Sequence, residues 1–230
     1  MDTILTVDAG TTRLKAALLN EAGDMLAFTG VDMTVLNPFE SASEMQMDEV
    51  WKAFAQACHT LSMEHPEEWK GLKGIGITGQ GDGFWPLDAQ GKPCGNAILW
   101  NDSRSKRLDL PNEDEINAFC VKHALSPLFA GAPPTILRWV YAFEPERYQR
   151  IAHVIHCKDW LVYNLTGRIV TDRSDASTAL MNILTDEYEF ELLTLLGLPA
   201  ESAALFPEIV ESSEIVGRTN GAKPAEAHIP

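Results

Sequence analysis

Basic residues are scarce in this chain of 230 residues: 18 Lys and Arg stand against 33 Asp and Glu, a formal net charge of −15. A surface of that sign opposes phosphate tracking, so nucleic acid and anionic membranes are poor partners, and any anionic ligand must be gripped locally. The acidity otherwise reads as a well-solvated, soluble surface. Cysteine is sparse too. Cys58, Cys94, Cys120 and Cys157 are scattered with no Cys-x-x-Cys pair, which excludes a zinc knuckle or redox motif and leaves reduced structural thiols. No run reaches the ~18 apolar residues of a membrane helix, and the first residues lack a basic-then-apolar leader, so the cytoplasm is the expected compartment. Also missing are a Gly-x-Gly-x-x-Gly after the first strand, a Gly-x-x-x-x-Gly-Lys-Ser/Thr loop and a Gly-x-Ser-x-Gly elbow. Dinucleotide folds, P-loops and hydrolase triads lose their usual support.

What is present is a normal apolar fraction of 45%, sufficient for one large domain or two small ones. Short apolar runs at Ile4–Val7, Leu14–Leu19 and Met25–Thr29, separated by turn residues, predict an antiparallel meander. Asp48 is placed to cap a helix carrying Trp51, Phe54, Cys58 and Leu61 on the face that covers this sheet. Leu72–Thr78 reads as a buried strand, and Phe84–Leu87 and Ala97–Trp100 as further strands around the polar turn 88–92. Helices are expected over Glu113–Lys122, after a Thr135 cap, over Lys158–Leu165 closed by Gly167, and over Phe190–Leu196 closed by Gly197. This order implies a mixed α/β domain. Residues 1–216 read as that domain and 217–230, rich in Gly, Pro and Ala, as a linker.

Three segments carry chemistry. Asp8-Ala9-Gly10-Thr11-Thr12 is a tight turn between two strands, with a carboxylate able to hold Mg²⁺ and with glycine, hydroxyl and amide donors for a polyphosphate. Ordinary hairpin turns have the same composition, and locally both readings stand. Thr78-Gly79-Gln80-Gly81-Asp82-Gly83 ends a strand, and Gln80 and Asp82 can hydrogen-bond vicinal hydroxyls of a polyol; a solvated Gly-rich bend is the competing reading. In Leu99-Trp100-Asn101-Asp102-Ser103-Arg104, Trp100 offers a wall for a sugar's C–H face. Asp102 or Asn101 can cap a helix, and Asp102 can pair with Arg104. His153 and His156, three apart in an apparent strand, point to opposite faces and lack further ligands, which argues against a metal. Trp139, Trp160 and Phe190 read as core.

Together these segments resemble the N-terminal domain of the FGGY family of carbohydrate kinases. Val7–Thr12 with Lys15 is similar to the family's first phosphate motif, Gly76–Gln80 to the strand entering its sugar loop, and Ala97–Arg104 to its Trp-x-Asp-x-Arg region. Lys158-Asp159-Trp160-Leu161 with Leu165-Thr166-Gly167, then Thr171-Asp172 with Asp175-Ala176-Ser177, resemble later signatures. Leu137-Arg138-Trp139 and Glu144-Pro145-Glu146-Arg147-Tyr148 are similar to the L-xylulose kinase branch, whereas Gly81-Asp82 departs from the Met-His of xylulose kinases and the Arg-Glu of glycerol kinases.

The resemblance implies a ribonuclease H-like, actin-like ATPase domain, one half of a two-domain kinase. That kinase transfers the γ-phosphoryl of ATP to a small sugar or polyol, foremost a ketopentose such as xylulose. Erythritol- or glycerol-type polyol kinases and a noncatalytic actin-like sugar-binding or regulatory domain are the alternatives. It implies phosphate contacts at Gly10, Thr11, Thr12 and Lys15, Mg²⁺ at Asp8, and sugar contacts at Gln80, Asp82, Trp100 and Asp102. The family's catalytic aspartate lies in a later Gly-x-x-Asp motif, so no residue here takes that role. A C-terminal domain would be the partner, homodimers are common among such kinases, and the chain alone is expected to fold without phosphorylating sugar.

Overall fold

Alternation shapes the first strand, β1 (Thr3–Ala9), where Thr3, Leu5, Val7 and Ala9 turn inward and are buried. The computed structural model describes residues 1–110, 112–219 and 229. β1 pairs antiparallel with β2 (Arg13–Asn20), which pairs antiparallel with β3 (Met25–Asp32), as the turn residues imply. Beyond β4 (Glu44–Met45), α1 (Met47–Glu64) and α2 (Pro66–Lys70), the chain returns as β5 (Leu72–Gly79), parallel to β1, to complete a sheet of order β3-β2-β1-β5. A parallel return needs a crossover, and α1 supplies it, laying Val50, Trp51, Phe54, Cys58 and Leu61 against the sheet. The cap differs from expectation. α1 starts after Gln46, so Asp48 sits inside the first turn, where its charge favours the positive helix end.

β6 (Trp85–Leu87) pairs with β8 (His153–Ile155), and β7 (Ala97–Ile98) with β4. The strand expected to run to Trp100 stops at Ile98 because Leu99 and Asp102 close a turn, with Asp102 N donating to Leu99 O. Between these lie α3 (Glu113–Lys122), α4 (Pro133–Phe143) and α5 (Pro145–Tyr148). The α4 cap is Ala132, with prolines at the first helical positions, so Thr135 lies inside the helix rather than capping it. α6 (Cys157–Thr166) ends at Gly167 with φ 77°, as its sequence predicts. Next come β9 (Val170–Asp172), α7 (Arg173–Ala179), the hairpin β10 (Met181–Asn182) and β11 (Glu187–Tyr188), α8 (Glu191–Leu195) and β12 (Glu208–Val210), which pairs parallel with β9.

The core divides in two. One part lies between the sheet, α1 and α6 and holds Trp160; the other gathers α3, α4 and α8 around Trp139. Phe190 is less enclosed than its sequence position suggests, lying 36% exposed in an aromatic group with Tyr188 and Phe206. All four cysteines are free and buried. Among the described residues no helix is long and apolar enough to cross a membrane. Of the stretch 217–230 read as a linker, residues 220–228 and 230 lie outside the described residues.

Candidate functional site

Strand register brings the first two segments together. Asp8 pairs with Thr78 and Ala9 with Gly79 across the parallel β1–β5 pair, so Asp8–Thr12 and Gln80–Gly83 leave the sheet side by side at its carboxyl end. Open α/β sheets bind ligands at such strand ends. Gln80 N donates to Ala9 O, which fixes the second loop to the first strand. On the other side Asp8 faces Lys15 of β2, whose Nζ lies 3.2 Å from Asp8 Oδ2.

The third segment joins through one hydroxyl. Trp100 Nε1 donates to Thr11 Oγ1 at 3.2 Å, and Thr11 Oγ1 donates to Gln80 Oε1 at 3.1 Å. A residue from each expected contact group is therefore linked in a single chain. Trp100 is 47% exposed, whereas the other five tryptophans are at most 8% exposed. An indole held by its N–H with its ring open is suited to ligand contact rather than packing.

Two glycines permit this approach. Gly83 has φ 74°, and a Cβ there would lie 2.7 Å from Ile98 O; at Gly131 a Cβ would lie 1.7 Å from Trp100 O. Gly83 N also donates to Gly131 O, so the turn before α4 forms a brace behind both the Gly-rich loop and Trp100. Gly131→Ala is expected to push the Trp100 segment outward at a cost of about 1–3 kcal/mol, typical of overpacking. Urea unfolding would show the loss, and Trp100 emission should change with it; unchanged stability and spectrum would contradict the brace.

Asp82 sits on the same loop in a left-handed conformation, φ 54°, which aspartate tolerates better than most residues. Burial pushes its carboxyl above the ordinary value and Asp175 adds to that, while His156 and the Thr178 hydroxyl oppose the shift.

Asp102 departs from its expected place. It is 2% exposed, and its oxygens accept from Ser43 N, Arg104 N, Arg104 Nε and Arg104 Nη2 at 2.7–3.0 Å. With its lone pairs committed beneath the loop, Asp102 positions the Trp100 segment and does not face the cleft. Arg104 in turn reaches Glu44 Oε1 at 2.6 Å and lies between the rings of Phe39 and Trp139, 5.1 and 5.0 Å from their centroids. The pairing of Asp102 with Arg104 matches expectation; the short 3₁₀ turn Arg104–Arg107 replaces the expected helix.

Behind the Gly-rich loop lies a charged cluster to which sequence reading assigned no role. Lys158 Nζ is 2.9 Å from Asp172 Oδ1, 3.2 Å from Asp159 Oδ1, and in direct contact with Asp175 Oδ2. The position of a Cβ on Gly81 would be 3.6 Å from Asp175 Oδ1, so the cluster supports the sugar-loop candidate from below. His156 precedes α6, is 3% exposed and places Nδ1 3.3 Å from Asp159 Oδ2. Burial lowers its basicity, but Asp175 and Asp159 together raise it above the ordinary value. His153 has no part in the cluster, but His156, Asp159 and Asp175 present atoms within 4.8 Å of one another. Lys158 already supplies the positive charge among these carboxylates, which argues for a structural knot. The available signal was the adjacent Lys158-Asp159 pair followed by two further carboxylates, Asp172 and Asp175, all four of which are buried or half-buried, where charges are rare unless paired.

Mg²⁺ takes hard oxygen ligands and keeps most of its waters, so one accessible carboxylate beside anion-binding donors suits it. Asp8 meets that requirement, with a side chain 44% exposed at the strand end and next to Gly10, Thr11 and Thr12.

A profile of the FGGY family of carbohydrate kinases, N-terminal domain, matches residues 3–228. A probable L-xylulose kinase of Pasteurella multocida (strain Pm70) is 34% identical over 219 residues, covering 94% of this chain and 45% of that protein. An erythritol kinase of Brucella abortus (strain 2308) is 30% identical over 217 residues, covering 93% of this chain and 41% of that protein. The crystal structure of a xyloylose kinase from Brucella ovis superposes with a TM-score of 0.87 at 31% identity, over 99% of this chain and 46% of that one. The chain thus spans less than half the length of each of these proteins. The sheet order and these likenesses make the fold the ribonuclease H-like, actin-like one.

Proposed function

The chain belongs to the FGGY family of carbohydrate kinases, and from that premise we propose that it is the N-terminal, sugar-binding half of an ATP-dependent kinase acting on a small sugar or polyol. The observation that carries this reading is the Trp100–Thr11–Gln80 chain, in which Thr11 ties the exposed indole to the two loops at the strand ends. A ketopentose such as xylulose is the first substrate class, with tetritols such as erythritol second; relatives named for both support the pair.

Asp8 would hold Mg²⁺, and Gly10, Thr11, Thr12 and Lys15 would meet the phosphates of ATP. When bound, the metal offsets charge on the transferred phosphoryl. Gln80 and Asp82 hydrogen-bond hydroxyls, Trp100 covers the C–H face, and Asp102 with Arg104 sets the height of the indole. The base that takes the hydroxyl proton belongs to the facing C-terminal domain, so this half contributes position rather than proton transfer.

Calorimetric titration of the chain with ketopentoses, pentitols and tetritols is expected to give saturable binding by at least one class. Trp100→Ala should weaken it about 5-fold, as expected for loss of one stacking wall worth ~1 kcal/mol. Absence of binding across the panel, or full affinity after Trp100→Ala, would sink the proposal.

A further inference from the structure

Resting on the kinase reading above, we infer that the Thr11 hydroxyl is a hydrogen-bond exchange point through which sugar and polyphosphate strengthen each other's binding. Thr11 belongs to the turn read as the phosphate loop, yet its hydroxyl is engaged by residues of the sugar side. It donates to Gln80 Oε1 at 3.1 Å and accepts from Trp100 Nε1 at 3.2 Å. Chemistry fixes both directions. An indole N–H only donates and an amide oxygen only accepts, so the single Thr11 hydroxyl proton points at Gln80.

An ionised phosphate oxygen is likewise an acceptor. The lone pair left on Thr11 Oγ1 is of no use to it, and the one proton it could take is already given to Gln80. Phosphate and Gln80 Oε1 therefore compete for one donor. A sugar hydroxyl resolves the competition, because its O–H donates to Gln80 Oε1 in place of Thr11 and releases the Thr11 proton toward the phosphate. The exchange runs equally in the other direction: a phosphate that draws the proton away leaves Gln80 Oε1 to be filled by a sugar hydroxyl. Such reciprocity holds for any coupling between two binding sites.

The exchange is confined to side chains. Gln80 N is bonded to Ala9 O, Asp8 and Ala9 stand in register with Thr78 and Gly79, and Gly83 N is bonded to Gly131 O, so neither loop has to move. Gln80 Nε2 faces Met45 Sδ at 3.9 Å, a weak contact that does not occupy the lone pairs of Oε1. Trp100 Nε1 stays on Thr11 Oγ1 throughout and senses which way the hydroxyl is turned. Thr11 is thus a positioning residue for the sugar side as well as a phosphate contact.

The test titrates xylulose and erythritol calorimetrically into the 230-residue chain, with and without saturating magnesium pyrophosphate, and follows the Trp100 indole N–H by NMR. At least one of the two compounds is expected to bind about 5-fold more tightly when pyrophosphate is present, the size of one exchanged hydrogen bond. Pyrophosphate alone should shift the Trp100 N–H signal. Thr11→Val removes the proton and should make the two binding events independent, whereas Thr11→Ser keeps the hydroxyl and should keep the coupling; circular dichroism confirms that each variant is folded. Independent binding in the unaltered chain, coupling that survives in Thr11→Val or vanishes in Thr11→Ser, an indole signal that pyrophosphate does not move, or absence of pyrophosphate binding overturns the exchange and leaves the sugar site standing. Binding of neither xylulose nor erythritol overturns the sugar-site reading, and this inference with it.

Discussion

Lys158→Met is expected to lower stability at pH 7 by about 3–5 kcal/mol, the range for removing one partner from a buried ionic cluster. Three carboxylates would lose their shared counter-charge while Asp159 and Asp175, 4% and 10% exposed at the side chain, stay out of water. The deficit should depend on pH with a definite sign. Burial pushes Asp172 and Asp159 up, but Ser212, Lys158 and Ser174 hold the first, and His156 with Lys158 the second, below the ordinary carboxylate value. Their contribution is present above the unfolded value of ~3.9 and disappears as pH falls through the lower folded values. Burial lowers Lys158, yet Asp159, Asp175 and Asp172 raise it above its ordinary value. Its contribution is complete below ~10.4 and lost as pH rises through the folded value. Urea unfolding of both proteins should therefore show the widest gap between about pH 5 and 10 and a closing gap below about pH 4. A gap under ~1 kcal/mol at pH 7 would mean that the cluster contributes little.

Arg104→Met should be of similar size. The guanidinium is 1% exposed, paired with two acids and enclosed by two rings, so its loss leaves Asp102 buried without a counter-charge, held only by the backbone N–H groups of residues 43 and 104. About 3–5 kcal/mol corresponds to a Tm lower by roughly 6–20 °C in a chain of this length. Adding Asp102→Asn removes the orphaned charge and is expected to restore part of the loss, a coupling readable by calorimetry as a double-mutant cycle. Purely additive effects would show that the pair does not act as a unit.

The meander, α1 and the glycine ends of α6 were legible because each is a local matter of alternation, helical spacing or a left-handed terminus. The helix starts at Gln46 and Ala132 were not, since neither cap uses the side-chain oxygen that marks one in a sequence. Asp8, Thr11, Gln80 and Trp100 could be proposed from composition and family likeness, but their meeting depends on contacts across 69 and 89 residues. Asp102 shows the opposite failure. A polar residue beside a tryptophan reads as a ligand contact, and only the positions of Ser43 and Arg104 reveal that its oxygens are fully engaged. The Lys158 cluster stayed unread for the same reason: charge pairing in space leaves only a weak trace along the chain.

The in-register pairing of Asp8 with Thr78 and Ala9 with Gly79 acts as a ruler made of backbone. Strand spacing, not any side chain, sets the gap between the two loops, and it is uniform at about 4.8 Å. Loop residues such as Gly81 and Asp82 can then be exchanged without moving the points at which the two loops leave the sheet. A scaffold with that property can vary its loop side chains by single substitutions while the two strand ends keep their spacing, and such variation needs no new fold.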